Sequence, residues 1–193
     1  MKTSDPNIIS ETERLELLRR GVNGDLEAFG ELVAAYQQFA YALAFRLLLN
    51  EEDAEDVVQE SFLRVWRHLA GYDTRRKFTT WLYSIVTNLC YDRLRALQVR
   101  AHRALHEVGE PEFAGERGAS GPEQDCTNEM LRRRLGRLVA GLSPTQRVVF
   151  ILRDLQELTV KDVAKILAIS EGAVKSNLYY ARKSLRERLK DFG

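Results

Sequence analysis

The residues from Leu158 to Leu185, LTVKDVAKILAISEGAVKSNLYYARKSL, gather phosphate-binding and base-reading side chains at helical spacing. Lys175, Arg182 and Lys183 supply cationic donors suited to phosphate oxygens, and Ser176 and Asn177 supply short polar groups that fit base edges. Tyr179 adds a phenol to the same surface, and Ser170 and Glu171 stand at its start. Val174, Leu178, Ala181 and Leu185 recur as an apolar stripe, which predicts a helix with the polar set facing outward. Thr159, followed three residues later by Asp162, predicts the start of a shorter helix whose Val163, Ile166 and Leu167 face inward. Ser170 is then the cap of the second helix. A basic exposed helix braced by a short partner is the helix-turn-helix geometry that enters a DNA major groove. An ordinary solvated hairpin is the competing reading, because charge runs often face only water.

A second constellation runs from Gly71 to Arg95. Arg75, Arg76 and Lys77 sit in a loop beside Tyr72, Phe78, Trp81 and Tyr83, with polar Thr79, Thr80, Asn88 and Asp92 interleaved. Basic residues next to aromatics can hold a single-stranded backbone and pocket an unpaired base. Phe78, Trp81, Leu82 and Ile85 also fit a plain core stripe at i, i+3, i+4 and i+7. The core reading takes those four, while the basic loop and Asn88 keep the functional one.

The third is acidic: Glu51, Glu52, Asp53, Glu55, Asp56 and Glu60 crowd a helix start. The helix dipole accounts for acids there, and no histidine lies near in sequence to suggest a metal site. Asp53, Asp56, Gln59 and Glu60 share one side at helical spacing, which suits docking to a basic or polar partner helix. His102 and His106 stand four apart, but Cys90 and Cys126 lie in separate segments, so no metal is expected. With no phosphate loop, nucleophile elbow or triad pattern, neither an enzyme nor a cofactor or small-molecule substrate is expected.

The elements that must position these groups read as helices throughout. Glu11 to Arg20 is a short helix ended by Gly21. Asp25 opens a long one with Leu26, Phe29, Leu32, Val33, Tyr36 and Ala40 on its apolar stripe. Asn50 caps the acidic helix, which buries Ala54, Val57, Phe62, Val65 and Leu69, and Phe78 opens another amphipathic helix. Glu107 to Gln124 holds four glycines and two prolines without apolar periodicity and reads as a flexible linker. Helices near Asn128 to Ala140 and Pro144 to Leu155 follow, the latter announced by Ser143-Pro144. The expected fold is all-α: two small helical domains, residues 10–104 and 127–193, joined by an acidic linker, residues 105–126.

Charge supports that division. The 193 residues carry a net +1, but Glu11 to Glu60 has four Lys and Arg against 12 Asp and Glu. Gly71 to His106 has seven against two, and Thr127 to Gly193 has 14 against seven. Basic blocks suit phosphate backbones, whereas acidic ones suit a basic protein surface. No apolar run is long enough to cross a membrane, no secretion signal opens the chain, and two cysteines make no disulfide framework. A cytoplasmic protein without direct membrane insertion is expected, with association to a membrane open only through a partner protein.

Taken together, these motifs resemble the extracytoplasmic-function group of bacterial RNA polymerase sigma factors, over about Leu17 to Leu189. DAEDVVQESFLRVWRHL looks like the polymerase-docking helix of sigma region two. KFTTWLYSIVTNLCYDRLR looks like the segment that melts and reads the minus-ten element. LSPTQRVVFILRDL with the helix-turn-helix looks like region four, which reads the minus-thirty-five element. The resemblance implies a dissociable specificity subunit that binds the polymerase core (its clamp coiled coil and flap) and promoter DNA, and that an anti-sigma factor holds inactive. Asp53, Asp56, Gln59 and Glu60 would then meet the clamp coiled coil. Tyr72, Arg75, Arg76, Lys77, Thr80 and Asn88 would serve the minus-ten element. Ser170, Glu171, Lys175, Ser176, Asn177, Tyr179, Arg182 and Lys183 would serve the minus-thirty-five element. The acidic linker resembles the region-three connector that runs near the RNA exit path.

The sequence departs from the family pattern in three places. Asn177 stands where arginine is usual, Ala168 replaces a common turn glycine, and Tyr179 and Tyr180 replace more polar residues. Asparagine pairs bidentately with adenine where arginine prefers guanine, so the expectation is either a shifted base preference or an Asn177 that touches only phosphate. The competing function is a sigma mimic that titrates an anti-sigma factor without touching DNA. Such a mimic should lack the basic groove-facing residues present here.

Overall fold

The computed structural model describes residues 9–73, 77–107, 136, 138–139 and 141–190; side chains at 101, 102 and 104–107 are outside this description. Among the described residues every regular element is helical. Helix α1 spans Glu11–Val22, α2 Leu26–Leu48, α3 Glu51–His68 and α4 Phe78–Glu107. A 3₁₀ turn, Leu69–Gly71, follows α3. Helix α5 spans Pro144–Phe150 and continues as a π-helical turn, Ile151–Leu155; α6 spans Val160–Leu167 and α7 Glu171–Lys190. The expected linker, and all but three positions of the helix expected near 128–140, lie outside the described residues.

The helix starts are built by the short polar residues that the sequence places there. Ser10, Asp25, Asn50, Ser143 and Thr159 each accept a backbone N–H from the first turn of α1, α2, α3, α5 and α6. At Ser143 a complete capping box forms with Gln146, and Pro144 occupies the first turn, where its missing N–H costs nothing.

Gly21 does not end α1. It lies buried inside the helix, where a Cβ would stand 2.9 Å from Leu69 Cδ2, so its missing side chain lets α1 approach the 3₁₀ turn closely. The chain turns three residues later at Gly24, whose φ of +86° an L side chain rarely adopts. Leu26, expected on the buried stripe, is 70% exposed because it is the first residue of α2 and overhangs the bundle end. The remaining stripe behaves as its spacing requires: Leu32, Tyr36 and Ala40 are buried, and Phe29 and Val33 pack against the core.

Helix α4 packs on α2 and α3 through one face and on α5 and α6 through another. Buried Phe78, Leu82, Val86, Cys90 and Leu94 therefore belong to a single apolar cluster that continues into Val148, Leu152, Val163 and Leu178. A smaller cluster, Val139, Leu142, Ala181 and Leu185, is covered in part by Leu49 from the end of α2. The two expected helical units are thus in direct contact.

Candidate nucleic-acid interface

The helix-turn-helix is assembled by capping and burial. Thr159 Oγ1 accepts from the Asp162 N–H at 3.1 Å and donates to Asp162 Oδ2 at 2.6 Å. Helix α6 ends at Ala168 in the left-handed region, φ 52°, and the Ala168 N–H closes the turn on Ala164 and Lys165 carbonyls. Ser170 Oγ accepts from the Ala173 N–H at 3.1 Å, so this candidate contact residue is engaged in starting α7. Val174, Leu178, Ala181 and Leu185 are buried. Glu171, Lys175, Ser176, Tyr179, Arg182 and Lys183 are exposed, Tyr179 to 64%.

Two members of this surface have intramolecular partners. Asn177 is half-buried and donates one Nδ2 hydrogen to the Ala173 carbonyl at 2.8 Å, leaving its second N–H and Oδ1 lone pairs for another group. Arg182 donates from Nε and Nη2 to Asp154 Oδ2 and Oδ1 at 2.8 and 2.6 Å, which pushes its pKa further up. Nothing in the sequence pattern flagged this pair, because Asp154 lies 28 residues away on another element.

The second constellation is organised by stacked rings. Tyr72 lies on Trp81 with centroids 4.7 Å apart and planes inclined by 23°, and meets Phe78 edge-on. One residue precedes the basic loop and the others follow it, so the stack fixes both loop ends. Burial raises the Tyr72 hydroxyl to about 12. Lys77, Thr80 and Asn88 are exposed, whereas Arg75 and Arg76 lie outside the described residues. Phe78 and Leu82 are fully buried, and Trp81 and Ile85 are half-buried against the core.

On α3, Asp53, Asp56, Gln59 and Glu60 occupy one arc with defined edges. At one edge Arg93 of α4 bonds Asp53, from Nε at 2.8 Å and also from Nη2, and reaches Asp56 Oδ2 at 3.2 Å. Those hydrogen bonds raise the Arg93 pKa. At the other edge Gln59 lines an open groove of about 460 Å³ between α2 and α3, with Gln37, Gln38, Tyr41, Glu55 and Val58. Glu60 pairs with Arg64 at 2.9 Å.

Between the two units lies a polar seam. Tyr83 of α4 donates its hydroxyl to Gln156 Oε1 at 2.7 Å, and the hydroxyls of Tyr91 and Thr145 share a 2.9 Å hydrogen bond. Beside them Arg147 of α5 is buried, with Nε and Nη2 lacking partners, and burial lowers its pKa to about 10. Its charge is felt by Cys90, whose thiol burial raises to about 12. Thr87 Oγ1 and Gln156 Nε2 are likewise buried without partners.

Among the described residues no group of three or more His, Cys, Asp or Glu is placed to hold a metal. Cys126 and the side chains of His102 and His106 lie outside the described residues. No described helix is long and apolar enough to cross a membrane.

Comparison with known proteins places both helical units in one family. The Sigma-70 region 2 family matches residues 32–100, and Sigma-70 region 4 matches residues 132–185. The chain is 33% identical over 178 residues to the ECF RNA polymerase sigma factor SigW of Bacillus subtilis, covering 87% of this chain and 92% of that one. It is 31% identical over 177 residues to the ECF RNA polymerase sigma-E factor of Escherichia coli, covering 90% and 92%. In fold it is similar to CnrH, solved with the cytosolic domain of CnrY (TM-score 0.64, 23% identity, 92% of this chain and 97% of that one). It is also similar in fold to RpoE of Bartonella quintana, solved with the anti-sigma factor NepR (TM-score 0.60, 24% identity, 84% and 96%). With both sigma regions matched in order and relatives covered over nine-tenths of their length, the chain belongs to the ECF RNA polymerase sigma factors.

Proposed function

We propose that this protein binds the RNA polymerase core and directs it to promoters, with residues 10–104 reading the minus-ten element and residues 127–193 the minus-thirty-five element. Residues 105–126 connect them. The observation that carries the reading is the exposure of Lys175, Ser176, Tyr179 and Lys183 on α7 in the same chain that exposes Lys77, Thr80 and Asn88 on the other unit. Two modest DNA-binding modules on one chain gain from tethering. Asp53, Asp56, Gln59 and Glu60 dock on the clamp coiled coil, whose basic or polar side chains the acidic arc complements. The protein carries no catalytic step; the polymerase supplies the chemistry. It acts in the cytoplasm, and an anti-sigma factor restrains it, as the CnrH and RpoE complexes suggest by likeness of fold.

The contact between α4 and the C-terminal helices must open for this function. Elements about 25 base pairs apart are separated by roughly 85 Å of duplex at about 3.4 Å per pair. A folded chain of this length has a radius of gyration of about 16 Å, too small for its two packed units to bridge that distance.

The test adds the purified chain to sigma-free core polymerase with fragmented genomic DNA and maps RNA 5′ ends. Starts that share two spaced upstream motifs are expected. Core binding without new starts would favour a titrating mimic, and no core binding would remove the α3 docking surface.

A further inference from the structure

Asp154 sits where the helix that begins at Pro144 changes character. The last five residues, Ile151–Leu155, form a π-helical turn closed by the Gln156 N–H on the Ile151 carbonyl at 2.9 Å. A π turn holds one more residue than an α turn and so changes the direction in which the side chains leave the helix. The chain then reverses through Glu157 in the left-handed region, φ 56°. The carboxylate of Asp154 meets α7 at Arg182, a residue on the same exposed stripe as Lys175 and Tyr179, at i+7 and i+3 from them.

The geometry of the pair decides what remains available. Asp154 takes the Nε hydrogen and one Nη2 hydrogen of Arg182, at 2.8 and 2.6 Å. A guanidinium has five N–H donors in a fixed plane, so both Nη1 hydrogens and the second Nη2 hydrogen stay free on the outer edge. Those three suit a phosphate oxygen or the O6 and N7 atoms of guanine. Asp154 is itself mostly buried, whereas Arg182 is half exposed. The carboxylate is therefore anchored, and the guanidinium is the part that faces outward.

We propose that Asp154 is a positioning residue for promoter reading: it holds the Arg182 guanidinium in the orientation in which its outer edge meets the minus-thirty-five duplex. This rests on the reading of α7 as the minus-thirty-five surface. The ordering of a long, flexible side chain is completed before DNA arrives, so binding does not have to supply it. The same pair could serve only to tie α7 to the π turn, and electrostatics separates the two roles. Removing an acid beside a polyanion strengthens binding if Asp154 merely sits there, because less negative charge faces the phosphates. Removing it weakens binding if Asp154 orients the arginine.

The experiment measures promoter affinity of holoenzyme reconstituted with wild-type, Asp154→Ala, Asp154→Asn, Arg182→Ala, the Asp154→Ala/Arg182→Ala double variant, and Lys175→Ala. Each is also tested on promoters altered at single minus-thirty-five positions. Expected are a fivefold to tenfold loss for Asp154→Ala and a smaller loss for Asp154→Asn, which keeps one acceptor. Arg182→Ala should match the double variant, and Asp154→Ala should flatten the same base preference that Arg182→Ala flattens. Affinity that is unchanged or raised by Asp154→Ala while Arg182→Ala lowers it would overturn the positioning role and leave the function standing. Loss for Lys175→Ala but not for Arg182→Ala would overturn it by removing Arg182 from the DNA. No loss for either Lys175→Ala or Arg182→Ala would instead overturn α7 as the reading surface. Unfolding of Asp154→Ala, visible as a lowered melting temperature, transfers the decision to Asp154→Asn, for which an affinity loss supports the role and its absence overturns it.

Discussion

Tyr83 and Gln156, 73 residues apart in sequence, share a 2.7 Å hydrogen bond that ties α4 to the end of the π turn. With the Tyr91–Thr145 pair it forms the polar part of a seam between the two sigma regions. The same seam buries Arg147, Thr87 and Gln156 atoms that find no partner. Satisfied and unsatisfied polar groups thus lie side by side, and each buried orphan costs about 1–3 kcal/mol. An interface so composed closes without locking, which suits the proposed function, in which the two halves separate to span a promoter.

Arg147→Met therefore strengthens closure. It replaces a buried, under-bonded guanidinium with an apolar chain of similar length, a change that is often neutral or stabilising by about 1–4 kcal/mol. The variant is expected to melt higher, to stay compact by small-angle scattering, and to bind core polymerase more weakly than wild type. Lower stability with unchanged core affinity would show that Arg147 has a bonded role in the closed chain.

Arg93 bears on docking with the opposite sign. It neutralises Asp53 and Asp56 at one edge of the acidic arc, so Arg93→Ala should expose their charge and raise core affinity at low salt about threefold, within the reach of surface electrostatics. Asp56→Arg should lower it at least tenfold without unfolding the bundle, because a like charge then faces the basic partner. Titration of fluorescently labelled core checks both, and equal affinities would remove this arc from the interface.

Alkaline stability should carry the mark of Cys90. Burial raises its thiol from 9.0 to about 12, so between those values the unfolded chain loses a proton that the folded chain keeps. The stability contribution is complete below pH 9 and is lost as pH rises toward 12. Tyr72, raised from 10.0 to about 12, acts in the same direction, whereas Arg147, lowered from 12.5 to about 10, acts against it. Melting temperatures from pH 8 to 11 should fall for wild type and fall less steeply for Cys90→Ala. Parallel curves would mean that the thiol is solvated in solution.

Ala168→Gly should stabilise the C-terminal unit. Ala168 holds φ 52° at the end of α6, a conformation in which a Cβ costs about 1 kcal/mol relative to glycine. A gain of about 2–4 °C in melting temperature is expected for a chain of this size. A loss would show that the alanine methyl packs usefully in the turn.

Much of the scaffold is legible along the chain because it is set locally. Asn50, Ser143, Thr159 and Ser170 cap their helices as their positions suggest, and the buried stripe of α7 falls at its expected residues. Leu26 and Gly21 mislead for related reasons: an apolar residue at a helix end has nothing above it, and a glycine needed for close packing looks like a stop signal. What periodicity does not convey is the identity of a distant partner. It placed Arg182 and Asp53 on outer surfaces but gave no hint that Asp154 and Arg93 would meet them. The π turn is equally silent, since ILRDL continues an apolar helical pattern up to the point where the hydrogen bonding lengthens.

The stack of Tyr72 on Trp81 makes the wild-type chain its own optical instrument. Its two tryptophans are Trp66 and Trp81, both before residue 82. Trp66 packs against Phe29 between α2 and α3, while Trp81, near the start of α4, stacks on Tyr72. Tryptophan emission therefore reports directly on the α2–α3 contact and on the start of α4, with no tryptophan in the C-terminal helices themselves. Trp66→Phe isolates the signal of the Tyr72–Trp81 stack and Trp81→Phe that of the α2–α3 contact, so each can be followed in real time without an attached dye.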